Sequence, residues 1–116
     1  MNDIQRIGAN SRRSRAVVHG GVIYLTGQVC DDKRGDIAQQ TQEAFAKIDA
    51  ALAEVGSGRS KVLSATIWLR TMDDYDGMNA VWDAWIDRDN APARSCGTVG
   101  MADPDFRVEI IVTAAA

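Results

Sequence analysis

The sequence predicts an α+β fold in which a mixed β-sheet carries two helices on one face. Two stretches, residues 37–55 and 75–86, repeat apolar side chains at the 3.6-residue period of an amphipathic helix. Five short runs around them are rich in β-branched residues or alternate apolar and polar positions, as strands do. The predicted order is therefore β-β-α-β-α-β-β. Right-handed crossovers then place both helices on the same side of the sheet.

Length and composition favour a single domain over residues 1–116. The chain is 46% hydrophobic and 25% charged and has only two prolines. A net charge of -3 and an isoelectric point near 5.0 argue against a nucleic-acid-binding surface, which usually shows as a basic stripe. No apolar run approaches the roughly 18 residues of a membrane helix, and no secretory segment follows Met1. We therefore expect neither a nucleic acid nor a membrane as partner.

The two cysteines, Cys30 and Cys96, provide neither a disulfide framework nor a metal-ligand spacing. This usage is typical of a reducing compartment and predicts a cytoplasmic protein. Residues 1–15 carry Arg6, Arg12, Arg13 and Arg15 but no apolar period, which predicts a solvated N-terminal arm. The alternative is that one of these arginines reaches an anionic ligand or a neighbouring subunit.

Turn and cap residues separate the predicted elements. Gly20-Gly21 predicts a two-residue hairpin between the runs 16–19 and 22–26. His19, the only histidine, stands beside this turn without a recognisable catalytic partner, so we leave it out of the site. Asp36 is a candidate N-cap of the first helix, and Gly56 supplies its left-handed C-terminal position.

The strand over residues 62–70 has two different faces. One face is apolar and consists of Leu63, Ala65, Ile67 and Leu69. The other face is more polar and consists of Ser64, Thr66, Trp68 and Arg70. Because Trp68 lies on the more polar face, that face needs cover as well, which favours contact with another subunit.

Asp73 or Asp74 is predicted to cap the second helix. Its apolar stripe, assigned to the core without a binding role, consists of Tyr75, Met78, Trp82, Trp85 and Ile86. Asn79 lies close to this stripe, either as a buried polar group with a specific partner or as a boundary residue.

Two opposite charges fall inside the last two predicted strands. Pro92 marks the start of one strand, with Arg94 just inside it, and Glu109 lies in the very apolar run that follows. Charges placed there lose hydration unless they pair or bind something. One interpretation is a structural ion pair; the other is an anion-binding arginine and a proton-handling carboxylate in the same cleft.

Several motifs together resemble the Rid family of reactive imine/enamine deaminases, also called the YjgF or RutC-like family. The resemblance covers about residues 21–113 and rests on residues 21–28, 35–37, 40–41, Asn79, 92–96 and 108–110. It implies a chorismate-mutase-like α+β fold. It also implies a homotrimer with one cleft at each subunit interface.

The same resemblance implies roles for individual residues. Arg94, in the Pro-Ala-Arg motif, corresponds to the arginine that grips the substrate carboxylate, and Glu109 to the residue that orients or protonates in hydrolysis. Cys96 lines the cleft, through its backbone. Asn79 and Thr26 also match cleft-lining positions, and Thr26 stands where a serine is common.

One departure from the family pattern lies before the first predicted strand. The family frequently has an aromatic residue there, whereas this chain has Arg12, Arg13 and Ser14. Arg13 is thus a candidate substrate contact in place of the aromatic wall. The exchange implies either a changed substrate choice or a loss of deaminase activity.

The implied chemistry requires neither a metal nor a cofactor. A 2-aminoacrylate-type enamine tautomerises to an imine, water adds to the imine carbon, and the carbinolamine collapses to a 2-ketoacid and ammonia. The main alternative is a non-catalytic trimeric module that binds small carboxylates or ketoacids in the same cleft. A ribonuclease or translation inhibitor is the least favoured, because the chain is acidic and has no pair of histidines.

Overall fold

The computed structural model describes residues 3–116 and shows a six-stranded sheet with two α-helices. The strands are β1 (Gln5–Ile7), β2 (Ala16–His19), β3 (Val22–Leu25), β4 (Val62–Leu69), β5 (Ala93–Thr98) and β6 (Val108–Ala115); the helices are α1 (Ile37–Glu54) and α2 (Tyr75–Trp85). In space the strands follow the order β1-β2-β3-β6-β4-β5, and only β4 and β5 are parallel neighbours.

Both helices are crossovers, as predicted, and both pack on one face of the sheet. Helix α1 links β3 to β4, and α2 links β4 to β5. The buried residues form one core between the helices and this face; the fully enclosed ones include Ile48, Leu52, Ile67, Met78, Ile110 and Val112. The fold class predicted from the sequence is confirmed. Neither helix within residues 3–116 is long and apolar enough to cross a membrane.

Helix α1 begins and ends at the predicted signals. The Asp36 carboxylate accepts a hydrogen bond from the Gln39 N–H at 2.9 Å. At the other end Gly56 has a positive φ of 76°. Its N–H donates to the Ala53 carbonyl at 3.1 Å, and the Ser57 N–H donates to the Leu52 carbonyl at 2.9 Å. The predicted hairpin is present too, with Gly20 and Gly21 at φ 60° and 79°.

Part of the predicted N-terminal arm is a strand. Residues Gln5–Ile7 pair antiparallel with β2 and extend the sheet by one strand, whereas residues 1 and 2 lie outside the described part of the chain. The Arg15 guanidinium donates to both carboxylate oxygens of Glu54 on α1, at 3.0 and 3.1 Å. The segment is thus tied to the body of the fold.

One local prediction was wrong, and another was confirmed in position only: Asp74 occupies the N-cap position of α2 without a capping hydrogen bond from its side chain. Leu63 is 47% exposed, because the register between β4 and β6 shifts between Val62 and Ser64 and this bulge turns Leu63 away from the core. Neither aspartate caps the second helix with its side chain. Thr71 caps a short 3₁₀ turn that precedes α2, by accepting from the Asp73 N–H at 3.3 Å. The Asp74 side chain forms an ion pair instead.

One buried amide fastens two loops to α1. The Gln40 side chain is fully enclosed, and its amide nitrogen donates to the carbonyls of Lys33, Gly35 and Asp105 at 3.1 to 3.3 Å. Its amide oxygen accepts from the Arg107 N–H at 2.8 Å. The segment before α1 and the segment before β6 are therefore held by the same side chain.

Candidate functional site

The sheet separates the two charges on which the sequence prediction centred. Arg94 pairs with Ala65 in the β4–β5 register, and Ala65 lies on the helix-covered face. Glu109 pairs with Trp68 in the β4–β6 register, and Trp68 lies on the opposite, helix-free face. Paired residues point to the same side of a sheet. Arg94 and Glu109 therefore project from opposite faces, and the structural ion pair considered between them does not form within this chain.

Arg94 is half-buried against aromatic rings of α2. Its guanidinium carbon lies 5.0 Å from the ring centroid of Trp82 and 5.9 Å from that of Tyr75. One of its terminal nitrogens donates to the Tyr75 hydroxyl at 3.5 Å. No carboxylate within residues 3–116 forms an ion pair with it. The charge of Arg94 is therefore held by neutral partners, which leaves most of its N–H groups available to an anion.

Asn79 and Cys96 lie on the same side of the sheet as Arg94. Asn79 is four residues after Tyr75 and three before Trp82, so it shares their face of α2. It is half-buried, and its side chain makes no hydrogen bond to the described residues. Cys96 faces the same way, two residues after Arg94 on β5. Burial raises the pKa of its thiol, partly opposed by the nearby positive charge of Arg94.

Glu109 lies on the other side of the sheet, next to the segment that contains Thr26 and Gly27. The Glu109 carboxylate lies against Gly27, in the space that a side chain at position 27 would occupy. Glycine is therefore required there if Glu109 is to keep its place. Thr26 immediately follows β3, is half-buried, and donates its N–H to the Arg15 carbonyl at 3.0 Å. Among the residues that the structure describes, Glu109 has no cationic partner.

Arg13 is far from Arg94 in the topology of the chain. It lies exposed in the turn between β1 and β2, where its N–H donates to the Asn10 side-chain oxygen at 2.9 Å. Strands β1 and β5 are the two opposite edges of the sheet. A site that contains both Arg13 and Arg94 therefore has to include residues from two copies of the chain.

The structure does not bring the six predicted site residues together. Arg94, Cys96 and Asn79 lie on the side of the sheet that carries α2, and Glu109 lies on the helix-free face. Thr26 follows β3, and Arg13 lies at the far edge of the sheet. A groove of about 540 Å³ between α1 and α2, with Phe45 and Trp85 in its wall, contains none of them. Within residues 3–116 no three His, Cys, Asp or Glu side chains are placed to hold a metal ion.

Two neighbours of Arg94 were not predicted from the sequence. Tyr75 and Trp82 were assigned to the core alone, yet both rings contact the Arg94 guanidinium. The available signal was their spacing on the helix that leads directly into the strand of Arg94. In a β-α-β unit with adjacent parallel strands, that helix packs over the following strand.

Comparison with known proteins finds close relatives over almost the entire chain. The family model described as Endoribonuclease L-PSP matches residues 3–116. A RutC family protein of Haemophilus ducreyi is 40% identical over 112 residues, which cover 97% of this chain and 96% of the relative.

Two solved structures superimpose closely. A YjgF family member from Neisseria meningitidis has a TM-score of 0.93 and 46% identity, and covers 97% of this chain and 94% of that one. An uncharacterized protein from Pseudomonas aeruginosa has a TM-score of 0.93 and 44% identity, with coverages of 97% and 98%.

The fold and these matches define the class as small α+β proteins of the YjgF type, with two crossover helices on one face of a mixed sheet. The chain belongs to the Rid family, which is also named the YjgF or RutC family.

Proposed function

We propose that this protein hydrolytically deaminates reactive enamine/imine intermediates of the 2-aminoacrylate type to 2-ketoacids and ammonia. The reaction takes place in the cytoplasm, in clefts between the subunits of a homotrimer. The observation that carries the proposal is the environment of Arg94: a half-buried cation that is held in place without a carboxylate from residues 3–116. Family membership supports the same assignment.

Arg94 anchors the substrate by its carboxylate. A guanidinium presents its N–H groups in a planar fork that matches the two oxygens of a carboxylate. A hydrogen bond to a charged group contributes about 1.5–3 kcal/mol. Cys96 lines the cleft through its backbone, because burial raises the pKa of its thiol and keeps it protonated at neutral pH. Asn79 and Thr26 are further lining residues, and Arg13 is a contact from another copy.

Glu109 handles the protons of the hydrolytic step. The enamine takes up a proton at carbon and gives one up from nitrogen to become the imine. A water oxygen then bonds to the imine carbon, the water gives a proton to Glu109, and the C=N electron pair takes a proton at nitrogen. In the carbinolamine the hydroxyl proton passes to nitrogen by way of Glu109, so that the C–N bond breaks to release ammonia as the ketoacid carbonyl forms. A positioned carboxylate contributes about 10²- to 10⁴-fold to such steps. This scheme involves neither a metal nor a cofactor.

The separation of Arg94 and Glu109 by the sheet supports an interfacial site. Because each projects from a different face, a cleft that holds both side chains joins two copies of the chain. The helix-free face carries apolar surface: Tyr24 is 49% exposed there, and Trp68 and Ile111 are half-buried. Such a face is suited to burial against other subunits.

A comparison of turnover with binding tests the function. Freshly generated 2-iminopropionate is given to the purified protein, and ammonia release is measured against the spontaneous rate, with pyruvate binding measured by calorimetry. For Glu109→Gln we expect pyruvate binding to persist while turnover falls about 10²- to 10⁴-fold. Pyruvate binding by the wild type without any acceleration of hydrolysis would instead select the non-catalytic carboxylate-binding module. Cleavage of RNA in a parallel assay would select the ribonuclease.

The assembly is tested by light scattering at micromolar concentration. A mass of three chains is expected. A monomer mass would contradict the interfacial cleft and the joint use of Arg94 and Glu109.

A further inference from the structure

We propose that Tyr75 and Trp82 act as an aromatic clamp that positions Arg94, and that the Tyr75 hydroxyl is a second hydrogen-bond donor to the substrate carboxylate. The inference rests on the proposed function, because it assigns specificity-determining residues to the same anion site. It is carried by contacts of α2 that lie outside the residues assigned to the site above.

Trp82 provides a rigid platform for the guanidinium. Its side chain is only 7% exposed, and its ring packs against Phe45 and Trp85 at centroid distances of 6.0 and 5.9 Å. A ring enclosed in this way has little freedom to change rotamer. The Arg94 guanidinium, 5.0 Å from its centroid, therefore rests on a surface that does not move.

Tyr75 restricts the motion of the Arg94 side chain from a second direction. Its ring centroid lies 5.9 Å from the guanidinium carbon, and its hydroxyl accepts a hydrogen bond from Arg94 at 3.5 Å. An arginine side chain without fixed partners loses much rotamer freedom when it binds an anion. Two aromatic contacts remove that freedom before binding, so the anchor is preorganised for its ligand.

The Tyr75 hydroxyl can donate a hydrogen bond of its own to another acceptor. Since it accepts from Arg94, its O–H is directed elsewhere, and a phenol both donates and accepts. A carboxylate held by Arg94 has two oxygens with lone pairs to spare. One oxygen takes guanidinium N–H groups and the other takes the Tyr75 O–H. The site then favours a carboxylate over an ester or an amide, which lacks the second anionic oxygen.

Two aromatic variants of α2 form a pair for testing the platform. Trp82 and Trp85 are both buried tryptophans, and each has an arginine over its ring: Arg94 at 5.0 Å and Arg59 at 5.6 Å. Trp82→Phe and Trp85→Phe both shrink a buried tryptophan of the same core, but only the first removes the ring that contacts Arg94 directly. Trp85→Phe in addition removes the indole hydrogen bond to Asp49, so it controls for general loss of stability.

The experiment titrates pyruvate into the wild type and both tryptophan variants while tryptophan emission is recorded, with calorimetry in parallel. Because Trp68 pairs with Glu109 and can also respond to binding, calorimetry decides the comparison: we expect pyruvate affinity close to wild type in Trp85→Phe and weaker affinity in Trp82→Phe. In turnover of 2-iminopropionate, Trp82→Phe raises KM and leaves kcat nearly unchanged, whereas Trp85→Phe changes neither.

Tyr75→Phe isolates the hydroxyl, because the ring and its packing remain. We expect KM for 2-iminopropionate to rise about tenfold, the lower end for a lost hydrogen bond to a charged group, with unchanged melting temperature. An unchanged KM in both Tyr75→Phe and Trp82→Phe would overturn the clamp and leave the deaminase proposal standing. Absence of both pyruvate binding and turnover in the wild type would instead overturn the function on which the clamp rests.

Discussion

Two half-buried arginines lie near the start of α2, and they are compensated in different ways. Arg107 donates to the carboxylate of Asp74 at 3.3 and 3.5 Å, and the Asp74 side chain is only 9% exposed. Arg94 instead contacts Tyr75, the residue that follows Asp74 in the sequence, and Tyr75 offers it a neutral ring and a neutral hydroxyl. Adjacent residues of one helix terminus thus hold one arginine as half of an ion pair and the other as an unpaired cation.

The difference in partners distinguishes an arginine whose charge stabilises the fold from one whose charge remains available to a ligand. A carboxylate beside a half-buried arginine offsets its charge and competes with any anionic ligand. Aromatic rings hold the guanidinium through a weaker, non-ionic attraction and leave its charge in place. We therefore expect changes at Arg107 to act on stability and changes at Arg94 to act on binding.

Replacement of Arg94 by alanine is the strongest test of this comparison. We expect kcat/KM for 2-iminopropionate to fall about 10- to 150-fold, equivalent to the 1.5–3 kcal/mol of a charge-assisted contact. The melting temperature and the mass in light scattering remain close to those of the wild type. Undiminished turnover, or a variant that fails to fold, would show that Arg94 is a structural residue.

Arg107→Ala should show the opposite pattern. Its loss leaves the buried Asp74 carboxylate unpaired, which costs about 3–5 kcal/mol at a fully buried site. Because Arg107 is about one-third exposed, we expect a smaller loss of about 2 kcal/mol in the free energy of unfolding, measured in urea. Turnover per folded molecule is retained. The double variant Asp74→Asn/Arg107→Met recovers part of the stability, and a double variant weaker than Arg107→Ala would contradict the ion-pair explanation.

Arg94→Lys tests whether charge alone is sufficient. An ammonium keeps the positive charge but has no planar fork and stacks poorly on Trp82 and Tyr75. We expect its kcat/KM to stay within about threefold of the value for Arg94→Ala, since most of the contact depends on geometry. Recovery to the wild-type value would mean that the site attracts anions without orienting them.

The smallest effect is expected for Cys96→Ser. Cys96 shares a face of β5 with Arg94, but burial raises the pKa of its thiol, so the reactive thiolate is scarce at neutral pH. Turnover of 2-iminopropionate should remain within about twofold of the wild type, and its pH profile should be unchanged. A large loss of activity in a folded variant would assign chemistry to the thiol.

Local signals in the sequence predicted most of the fold. Gly20-Gly21, Asp36 and Gly56 each require a particular backbone geometry, and each lies where predicted. Strand β1 escaped detection because three residues, Gln5–Ile7, are too short to show a period. The bulge at Leu63 escaped as well, since it arises from the pairing of β4 with β6 and leaves no mark on the strand's own alternation.

The sequence supplied candidate site residues but could not supply their relative geometry. The motifs identified Arg94 and Glu109 as the charges of interest, yet their placement on opposite faces depends on the register of two strands against β4. The partners of Arg107 and Arg94 could not be predicted from the sequence either. Asp74 and Arg107 are 33 residues apart, and Tyr75 and Arg94 are 19 apart, so only the folded chain brings them together.

The buried amide of Gln40 has a consequence for local opening. One side chain bonds to Lys33 and Gly35 before α1 and to Asp105 and Arg107 before β6, so neither segment can leave without breaking hydrogen bonds of the same group. In native-state hydrogen exchange, we expect the two segments that share the Gln40 amide to open together as one cooperative unit. The Arg107 amide should therefore exchange at the rate of that joint opening, and Gln40→Leu should release both segments at once.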